Sequence, residues 1–287
     1  MKKEEILIEA LPYIRKFYGS KVVVKLGGHA LVDESIMDSI TQDIVLLRFV
    51  GINTVIVHGG GPEITRMMEK LGKKPQFSGG LRITDDETLE IVRMVLVGSV
   101  NERIVSLIGK HGGKGIGLSG NDGKLIVAKK KRNLQVEGEK IDLGWVGETE
   151  EINVELINIT IARDYIPVIS PIAVDNAGNS LNVNADLVAG EIACAIKAEK
   201  LILLTDVPGL LRNTADSSTL ISQATPREIK EFVVTGVIGE GMIPKAEACL
   251  KATAGGVTAH IIDGRVPHTL LLELLTDKGT GTMISSR

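Results

Sequence analysis

The chain has 287 residues, of which 44% are hydrophobic and 24% are charged, with a formal net charge of −3. This composition is typical of a globular protein with one large or two moderate domains, and it argues against intrinsic disorder. The acidic balance and an aromatic content of only 3% argue against a general nucleic-acid binder, which needs cations for phosphates and rings for base stacking.

An amphipathic helix is predicted at the start of the chain, over residues 4–18. Leu7, Leu11, Ile14 and Tyr18 recur at helical spacing and form one apolar stripe. Such a stripe needs a partner surface. We therefore expect residues 1–20 to form an extra N-terminal helix ahead of the first strand.

Strands and helices then alternate through the first part of the chain. The predicted elements are strand 21–26, helix 34–50, strand 53–58, helix 62–71, helices 85–98 and 99–111, β-hairpins within 114–150, helix 153–163 and strand 166–169. This order predicts an α/β fold, with a parallel sheet and helices on its faces.

A turn cluster interrupts the chain at Asp175-Asn176-Ala177-Gly178-Asn179, and the α/β pattern restarts beyond it. The later predicted elements are helix 185–198, strand 201–205, helices 226–235 and 244–254, strand 258–262 and helix 267–275. We expect this turn to separate an N-terminal lobe, residues 1–178, from a C-terminal lobe, residues 179–287.

Three glycine-containing segments are candidate phosphate sites. They are Lys25-Leu26-Gly27-Gly28, His58-Gly59-Gly60-Gly61-Pro62 and Gly241-Met242-Ile243-Pro244-Lys245. The first two follow apolar strands, and the third opens a helix. Backbone N–H groups at a helix N-terminus stabilise an anion, so these segments predict a site for phosphate and a second anionic group.

Further polar residues lie at predicted strand and helix ends. Arg82 follows two glycines, and its planar guanidinium is suited to bind a carboxylate through two hydrogen bonds. Asn184 is a candidate N-cap, whereas Asn182 and Asp186 have no such explanation. The segment Leu203–Gly209 ends a strand in polar and turn residues, as expected at the ligand edge of an α/β sheet.

The segment Gly115-Ile116-Gly117-Leu118-Ser119-Gly120 matches the letters of a dinucleotide-binding motif. That motif requires a strand before it and a helix after it. Here a hairpin-type turn, Asn121-Asp122-Gly123, follows instead. We therefore interpret this segment as a chance match, which weakens the hypothesis of a nicotinamide oxidoreductase.

No membrane, metal or disulfide role is predicted. The chain has no 18-residue apolar run and no signal peptide at its N-terminus. Its five histidines show no ligand spacing. Cys194 and Cys249 lie in apolar helical patterns and are expected to be reduced thiols. These features predict a soluble, cytoplasmic protein without a protein-held metal.

Taken in order, six motifs resemble those of the amino-acid kinase family, and the resemblance covers essentially the whole chain. They are the three glycine segments above together with Gly80-Leu81-Arg82-Ile83-Thr84, Leu181-Asn182-Val183-Asn184-Ala185-Asp186 and Leu204-Thr205-Asp206-Val207-Pro208-Gly209. The resemblance implies a three-layer αβα sandwich around a mainly parallel sheet. It is strongest to members that phosphorylate N-acetyl-L-glutamate with ATP in arginine biosynthesis.

The same resemblance implies a role for each motif. Lys25 and Lys245 would stabilise the transferring phosphoryl group, and Asp186 would orient both. The implied substrate-binding residues are Gly59, Gly60, Gly61, Arg82, Asn182 and Asn184. The implied nucleotide-binding residues are Gly27, Gly28, Thr205, Asp206, Gly209 and Leu210. Mg²⁺ would be carried mainly by the ATP phosphates.

The implied chemistry needs no general base. A γ-carboxylate has a pKa near 4.3 and is already ionised at neutral pH. The remaining requirements are in-line positioning and neutralisation of charge on the phosphoryl oxygens. The lysines, the backbone N–H groups and Mg²⁺ meet these requirements.

Regulation and assembly are also implied. The stretch from His268 through Glu273 to Gly279 resembles the arginine site of feedback-inhibited family members, where an acid would meet the guanidinium of the effector. With the N-terminal helix, this predicts a hexamer, a trimer of dimers, that arginine inhibits. Alternatives are a kinase for carrier-linked aminoadipate or glutamate in lysine biosynthesis and a non-catalytic amino-acid sensor.

Overall fold

The structure is a computed structural model that describes residues 3–131, 134–136, 139–277 and 279–285. The helices are α1 Lys3–Phe17, α2 His29–Val32, α3 Glu34–Phe49, α4 Gly61–Lys70, α5 Asp86–Arg93, α6 Asn101–Lys110, α7 Glu155–Ala162, α8 Ala185–Ala195, α9 Pro226–Val234, α10 Ile243–Ala254 and α11 Thr269–Leu275. Short 3₁₀ turns lie at Asp122–Lys124, Ser217–Thr219 and Glu240–Met242, and a π-helical segment, Met94–Val100, joins α5 to α6.

The strands are β1 Lys21–Leu26, β2 Asn53–His58, β3 Phe77–Ser78, β4 Leu81–Arg82, β5 Gly115–Ser119, β6 Ile126–Lys130, β7 Leu134–Val136, β8 Glu139–Ile141, β9 Gly147–Ile152, β10 Ile166–Ser170, β11 Ile172–Val174, β12 Ser180–Asn182, β13 Lys200–Thr205, β14 Gln223–Ala224, β15 Thr258–Asp263 and β16 Thr282–Ile284.

One large sheet organises the molecule. Its strand order is β14-β16-β15-β13-β1-β2-β10-β5, and within the described residues every pairing except β15–β16 is parallel. A second sheet has the order β12-β11-β6-β9. The expected α/β fold with a mainly parallel sheet is confirmed.

Buried residues lie on both faces of the large sheet, because successive strand side chains point to opposite sides. Along β1, Val22 and Val24 belong to one apolar cluster, with residues of α3 and α6. Val23 belongs to the other, with residues of α8 and α10. Helices therefore cover both faces, as a three-layer αβα sandwich requires.

The sequence-based expectations differ from the structure in two places. Residues 115–119 form a parallel edge strand of the large sheet rather than a hairpin, because α6 packs directly on them; a Cβ at Gly115 would lie 3.3 Å from Ile108 Cβ. The two separate helices predicted over 85–98 and 99–111 also differ from the structure. The π-helical segment keeps the helical run continuous from Asp86 to Lys110.

The proposed lobe boundary falls in the turn between β11 and β12. The large sheet continues across it, because β1 pairs with β2 on one side and with β13 on the other. The division at residue 178 stays a prediction. No helix in the described parts of the chain is long and apolar enough to span a membrane.

Candidate active site

The carboxyl end of the large sheet brings together three charged side chains that are far apart in sequence. Lys25 is the penultimate residue of β1, Asp186 lies in the first turn of α8, and Lys245 lies in the first turn of α10. Lys25 Nζ is 2.8 Å from Asp186 Oδ1, and Lys245 Nζ is 3.4 Å from Asp186 Oδ2. One carboxylate thus holds two ammonium groups side by side.

The charge state of this cluster follows from its surroundings. Burial by itself would raise the pKa of the Asp186 carboxyl, but the ammonium groups of Lys25 and Lys245 outweigh burial and hold that pKa below its ordinary value. The cluster is therefore one carboxylate between two cations. It carries a net positive charge where a phosphoryl group would be stabilised.

Gly27 allows this arrangement. The Lys25 side chain folds back over the backbone of residue 27, and a Cβ at that position would overlap with Lys25 Nζ. Any side chain at residue 27 would therefore displace the ammonium group from Asp186. The sequence Lys25-Leu26-Gly27 places a lysine at the strand end and keeps the space beside it free.

A cavity of about 230 Å³ opens beside the cluster. It is lined by Lys25, Gly59, Gly60, Gly61, Ile64, Phe77, Gly80, Leu81, Arg82, Leu96, Val146, Pro171, Asn182, Val183, Asn184, Ala185 and Asp186. All six residues predicted to bind substrate line this one cavity. Lys245 does not line the cavity, but it contacts Asp186, which does.

The glycine loop, residues 59–61, joins β2 to α4. The Gly59 N–H donates to the Leu26 carbonyl at 2.8 Å, which ties the loop to the end of β1. Gly60 is the N-cap of α4, and Pro62, which has no N–H, occupies its first turn. No acceptor among the described residues binds the N–H of Gly60 or Gly61. These two groups are available to an anion.

Arg82 supplies a buried cation in the same cavity. Its side chain donates to Gly61 O at 3.0 Å and to Thr65 Oγ1 at 2.8 Å, and its guanidinium lies 4.6 Å from the centre of the Phe77 ring. Burial lowers the pKa of Arg82. The described residues place no carboxylate within ion-pair distance of this guanidinium. A bound carboxylate would neutralise it.

The two asparagines have different surroundings. Asn184 Oδ1 accepts from the N–H groups of Asp186 and Leu187, at 2.9 and 3.2 Å, so its carbonyl oxygen caps α8. Asn182 Nδ2 donates to Thr84 Oγ1 at 3.2 Å, and Thr84 in turn donates to the Arg82 carbonyl at 2.9 Å. Asn182 is thereby connected to the segment that carries Arg82.

The predicted nucleotide-binding residues lie at the ends of β1 and β13. A Cβ at Gly28 would lie 3.9 Å from the Asp206 carboxylate, so the two predicted segments meet. The Thr205 hydroxyl is 2.9 Å from the Val207 carbonyl, and Leu210 N donates to Thr282 Oγ1 at 2.8 Å. Gly209 is also packed against Thr282. The structure therefore brings this set together at the carboxyl end of the large sheet.

The residues predicted to bind arginine lie elsewhere, on and beside α11. Glu273 contacts Lys200 Nζ at 2.8 Å, His260 Nδ1 at 2.9 Å and the Thr280 N–H at 3.1 Å. Burial raises the pKa of Glu273, but His260 and Lys200 lower it to about 2. Gly279 precedes Thr280 and so lies next to this cluster.

His268 is not part of the Glu273 cluster. It is the N-cap of α11, and its Nδ1 lies 2.6 Å from Asp43 Oδ1. Burial raises the pKa of Asp43 to about 6 despite this contact. In this structure His268 and Glu273 therefore pair with different groups.

Sequence reasoning missed part of the apolar wall of the cavity, namely Ile64, Phe77, Leu96, Val146 and Pro171. These residues come from five separate segments, and nothing in their spacing marks them. It also missed the buried pair His58 and Asn101, although His58 belongs to a quoted motif. Its Nε2 lies 3.1 Å from Asn101 Nδ2.

No group of three or more His, Cys, Asp or Glu residues in the described chain could hold a metal ion. Both oxygens of Asp186 face lysines. Cys194 and Cys249 are free thiols. Mg²⁺ bound to the phosphates of a nucleotide would fit this donor set, because it needs no protein cage.

Comparison with known proteins identifies relatives over the full chain. Residues 20–263 match the sequence pattern of the amino acid kinase family. Acetylglutamate kinase of Methanothrix thermoacetophila is 60% identical over 100% of this chain and 99% of that protein. Acetylglutamate kinase of Methanococcoides burtonii is 60% identical over 99% of this chain and 95% of that protein.

The fold also resembles solved structures. N-acetylglutamate synthase from Neisseria gonorrhoeae, complexed with coenzyme A and N-acetyl-glutamate, superposes with a TM-score of 0.86 at 25% identity. The match covers 100% of this chain and 64% of that synthase, so this chain spans less than two thirds of its length.

Proposed function

Because this chain belongs to the amino acid kinase family, we propose that it transfers the γ-phosphoryl group of ATP to the γ-carboxylate of N-acetyl-L-glutamate in arginine biosynthesis. The product is N-acetyl-L-glutamyl 5-phosphate. The observation that carries this proposal is the Lys25–Asp186–Lys245 cluster beside a cavity that contains a buried, unneutralised Arg82. The relatives do not favour the alternative acceptors of lysine biosynthesis.

The reaction follows from these groups. Arg82 binds the α-carboxylate of the substrate, and the γ-carboxylate of the substrate points toward Lys25. A γ-carboxylate oxygen attacks the γ-phosphorus of ATP, the bond to the β,γ-bridging oxygen breaks, and ADP leaves. Lys25, Lys245 and the N–H groups of Gly60 and Gly61 neutralise the charge that develops on the phosphoryl oxygens. The phosphates of ATP would carry Mg²⁺, which would supply further charge neutralisation.

The other binding roles are proposals of the same kind. The nucleotide would lie along Gly27, Gly28, Thr205, Asp206, Gly209 and Leu210. ATP would then lie mainly on the C-terminal lobe, residues 179–287, with Gly27 and Gly28 contributed by the N-terminal lobe. The acceptor would lie mainly on the N-terminal lobe, residues 1–178. Asn182, Asn184 and Asp186 reach across from the second lobe. An enzyme that consumes ATP in this way is expected in the cytoplasm.

A coupled assay of ADP release tests the proposed function. N-acetyl-L-glutamate should support turnover, whereas glutamate, aspartate and carbamate should support little. The physical reason is the apolar wall of the cavity beside Arg82, which suits an acylated amino acid. ADP release that is fastest with an unacylated acceptor would overturn the proposal.

Arg82→Lys should raise the KM for N-acetyl-L-glutamate by on the order of tenfold or more and leave ATP binding nearly unchanged. An ammonium cannot reproduce the planar fork that binds a carboxylate through two hydrogen bonds. Separate titrations of the two substrates measure the effect. Arg93→Lys, at an exposed residue in the last turn of α5, is the matched control. A loss of ATP affinity instead would place Arg82 in the nucleotide site.

We further propose that arginine inhibits the enzyme and that the enzyme assembles as a hexamer through α1. In α1 Phe17 is buried and Ile14 packs on its own subunit, whereas Ile8, Leu11 and the adjoining Tyr18 are exposed. The side chain of Leu7 lies outside the described residues. Arginine would bind beside Glu273, where its guanidinium would compete with Lys200. It can inhibit only if it favours one arrangement of the lobes.

Ile8→Glu together with Leu11→Glu should give a smaller oligomer that is active but responds weakly to arginine. Both side chains are exposed, at 68% and 48%, so the subunit should still fold. Deleting residues 1–20 would instead remove the buried Phe17. Light scattering and arginine inhibition curves measure the outcome, with the exposed Val234→Glu as control. An intact protein that is dimeric and ignores millimolar arginine would contradict this proposal.

A further inference from the structure

Two polar side chains are buried behind the glycine loop without contacting the cavity. His58, the last residue of β2, is 0% exposed, and Asn101, the first residue of α6, is 5% exposed. A buried polar group is costly unless it is hydrogen-bonded. The hydrogen bonds of His58 and Asn101 therefore indicate why both side chains are buried.

The hydrogen bonds determine the tautomer of His58. Its Nδ1 lies 2.8 Å from the Gly59 carbonyl oxygen, which can only accept, so Nδ1 carries the proton. Its Nε2 lies 3.1 Å from Asn101 Nδ2, and the same Nδ2 donates to the Val168 carbonyl at 2.9 Å. Asn101 therefore donates to Nε2, which must be unprotonated.

The ring also stays neutral. Burial lowers the pKa of His58 to about 4; the hydrogen bond to Gly59 opposes this shift, and the nearby charges of Lys25 and Arg103 add to it. A second proton on Nε2 would face the N–H group of Asn101. One tautomer of one charge state is thus favoured.

The bond to Gly59 has a consequence for the cavity. The Gly59 carbonyl and the Gly60 N–H belong to one planar, trans peptide group, so they point in opposite directions. By holding the carbonyl, His58 sets the direction of the Gly60 N–H. That N–H has no acceptor among the described residues, and Gly60 lines the cavity beside Lys25.

The surrounding structure is shaped to admit Asn101. A Cβ at Gly117 would overlap with Asn101 Oδ1, so the glycine in the middle of β5 makes room for this side chain. Asn101 follows directly on the π-helical segment Met94–Val100, and such segments often lie at functional sites. Gly117 belongs to the segment that matches a dinucleotide-binding motif by chance, and here it makes room for Asn101.

We propose that His58 and Asn101 form a positioning relay, the His58–Asn101 relay, that aims the Gly60 N–H at the transferring phosphoryl group. The relay crosses the adjacent strands β2, β10 and β5. Neither residue contacts the substrate. The role of the Gly60 N–H toward a phosphoryl group rests on the proposed function. The hydrogen bonds of the relay do not depend on it.

Nitrogen NMR of the histidine-labelled full-length protein tests the relay directly. The signal assigned to His58, by its loss in His58→Asn, should show a protonated Nδ1 and a bare Nε2 throughout neutral pH. An Nε2-protonated tautomer, or a ring that titrates near neutrality, would overturn the relay. Asn101→Asp replaces the donor by an acceptor and should shift the proton toward Nε2 while it lowers kcat.

Two substitutions at His58 separate positioning from packing. An asparagine amide can occupy the place of Nδ1 and donate to Gly59, whereas a glutamine amide reaches the place of Nε2. His58→Asn should therefore retain kcat on the order of tenfold better than His58→Gln, with similar KM values. Glutamine is closer to histidine in size, so a role in packing alone predicts the reverse order.

Thermal unfolding measures whether each variant is folded. The control is His111→Asn, at a histidine that pairs with Asp38. Equal kcat values for the two His58 variants would overturn the relay. If the wild-type protein releases no ADP with N-acetyl-L-glutamate, the proposed function fails. The tautomer measurement on that same protein still decides the relay.

Discussion

Lys25→Ala should lower kcat by about two orders of magnitude or more, which corresponds to roughly 3 kcal/mol of lost transition-state stabilisation. The KM for N-acetyl-L-glutamate should change little, because the ammonium acts mainly on charge that develops during phosphoryl transfer. Lys245→Ala should behave in the same way. Steady-state kinetics with each substrate varied in turn measure both effects.

Lys21→Ala is the matched control for Lys25→Ala. Lys21 lies at the opposite end of β1, where its ammonium group contacts Asn158 at 2.9 Å, so it is distant from the cavity. Its removal should leave kcat unchanged. Near-normal turnover in Lys25→Ala or Lys245→Ala would remove the proposed mechanism.

Asp186→Asn should also lower kcat by on the order of a hundredfold, for a different reason. The carboxylate balances two ammonium groups in a buried site, and without it those groups repel each other. The unliganded variant should therefore unfold at a lower temperature than the wild type. ATP should restore more stability to the variant than to the wild type, because its phosphates supply the missing negative charge.

The stability that the Asp186 carboxylate contributes should depend on pH. The folded-state pKa of Asp186 lies below its ordinary value of 3.8. The carboxylate therefore stabilises the fold above about pH 4, and this contribution is lost as the pH falls further. The stability difference between the wild type and Asp186→Asn should shrink in acid.

Thermal and chemical unfolding across this pH range measure the difference. Asp164→Asn is the control, because Asp164 is exposed and pairs with Arg48 at the surface. A variant as stable and as active as the wild type would show that the two lysines do not depend on Asp186.

The arrangement of the charged cluster could be anticipated only in part. The apolar runs 22–24 and 55–57 predict parallel strands, and their glycine endings predict that Lys25 and residues 59–61 lie at the ligand edge. That Lys245 joins them follows from the resemblance alone. No local pattern connects residue 245 to residue 186, which α10 and α8 bring within 3.4 Å.

The expectation for residues 115–119 was wrong because the local pattern and the tertiary environment disagree. Residues 115–119 are rich in glycine, which suggests turns. In the fold those glycines let α6 and Asn101 approach the sheet closely, so the segment is an edge strand. Glu273 is in a helix as expected, but only the fold shows that it is buried against Lys200 and His260.

The sequence by itself determined the alternation of strands and helices, the glycine loops at strand ends and the family to which six ordered motifs point. These depend on periodicity, turn chemistry and short motifs, which are properties of neighbouring residues. Only the tertiary structure decided which side chains share a cavity, which charges are balanced and why His58 and Asn101 are buried. These depend on contacts between residues distant in sequence, because burial changes the free energy of a charge or hydrogen bond far more than local sequence does.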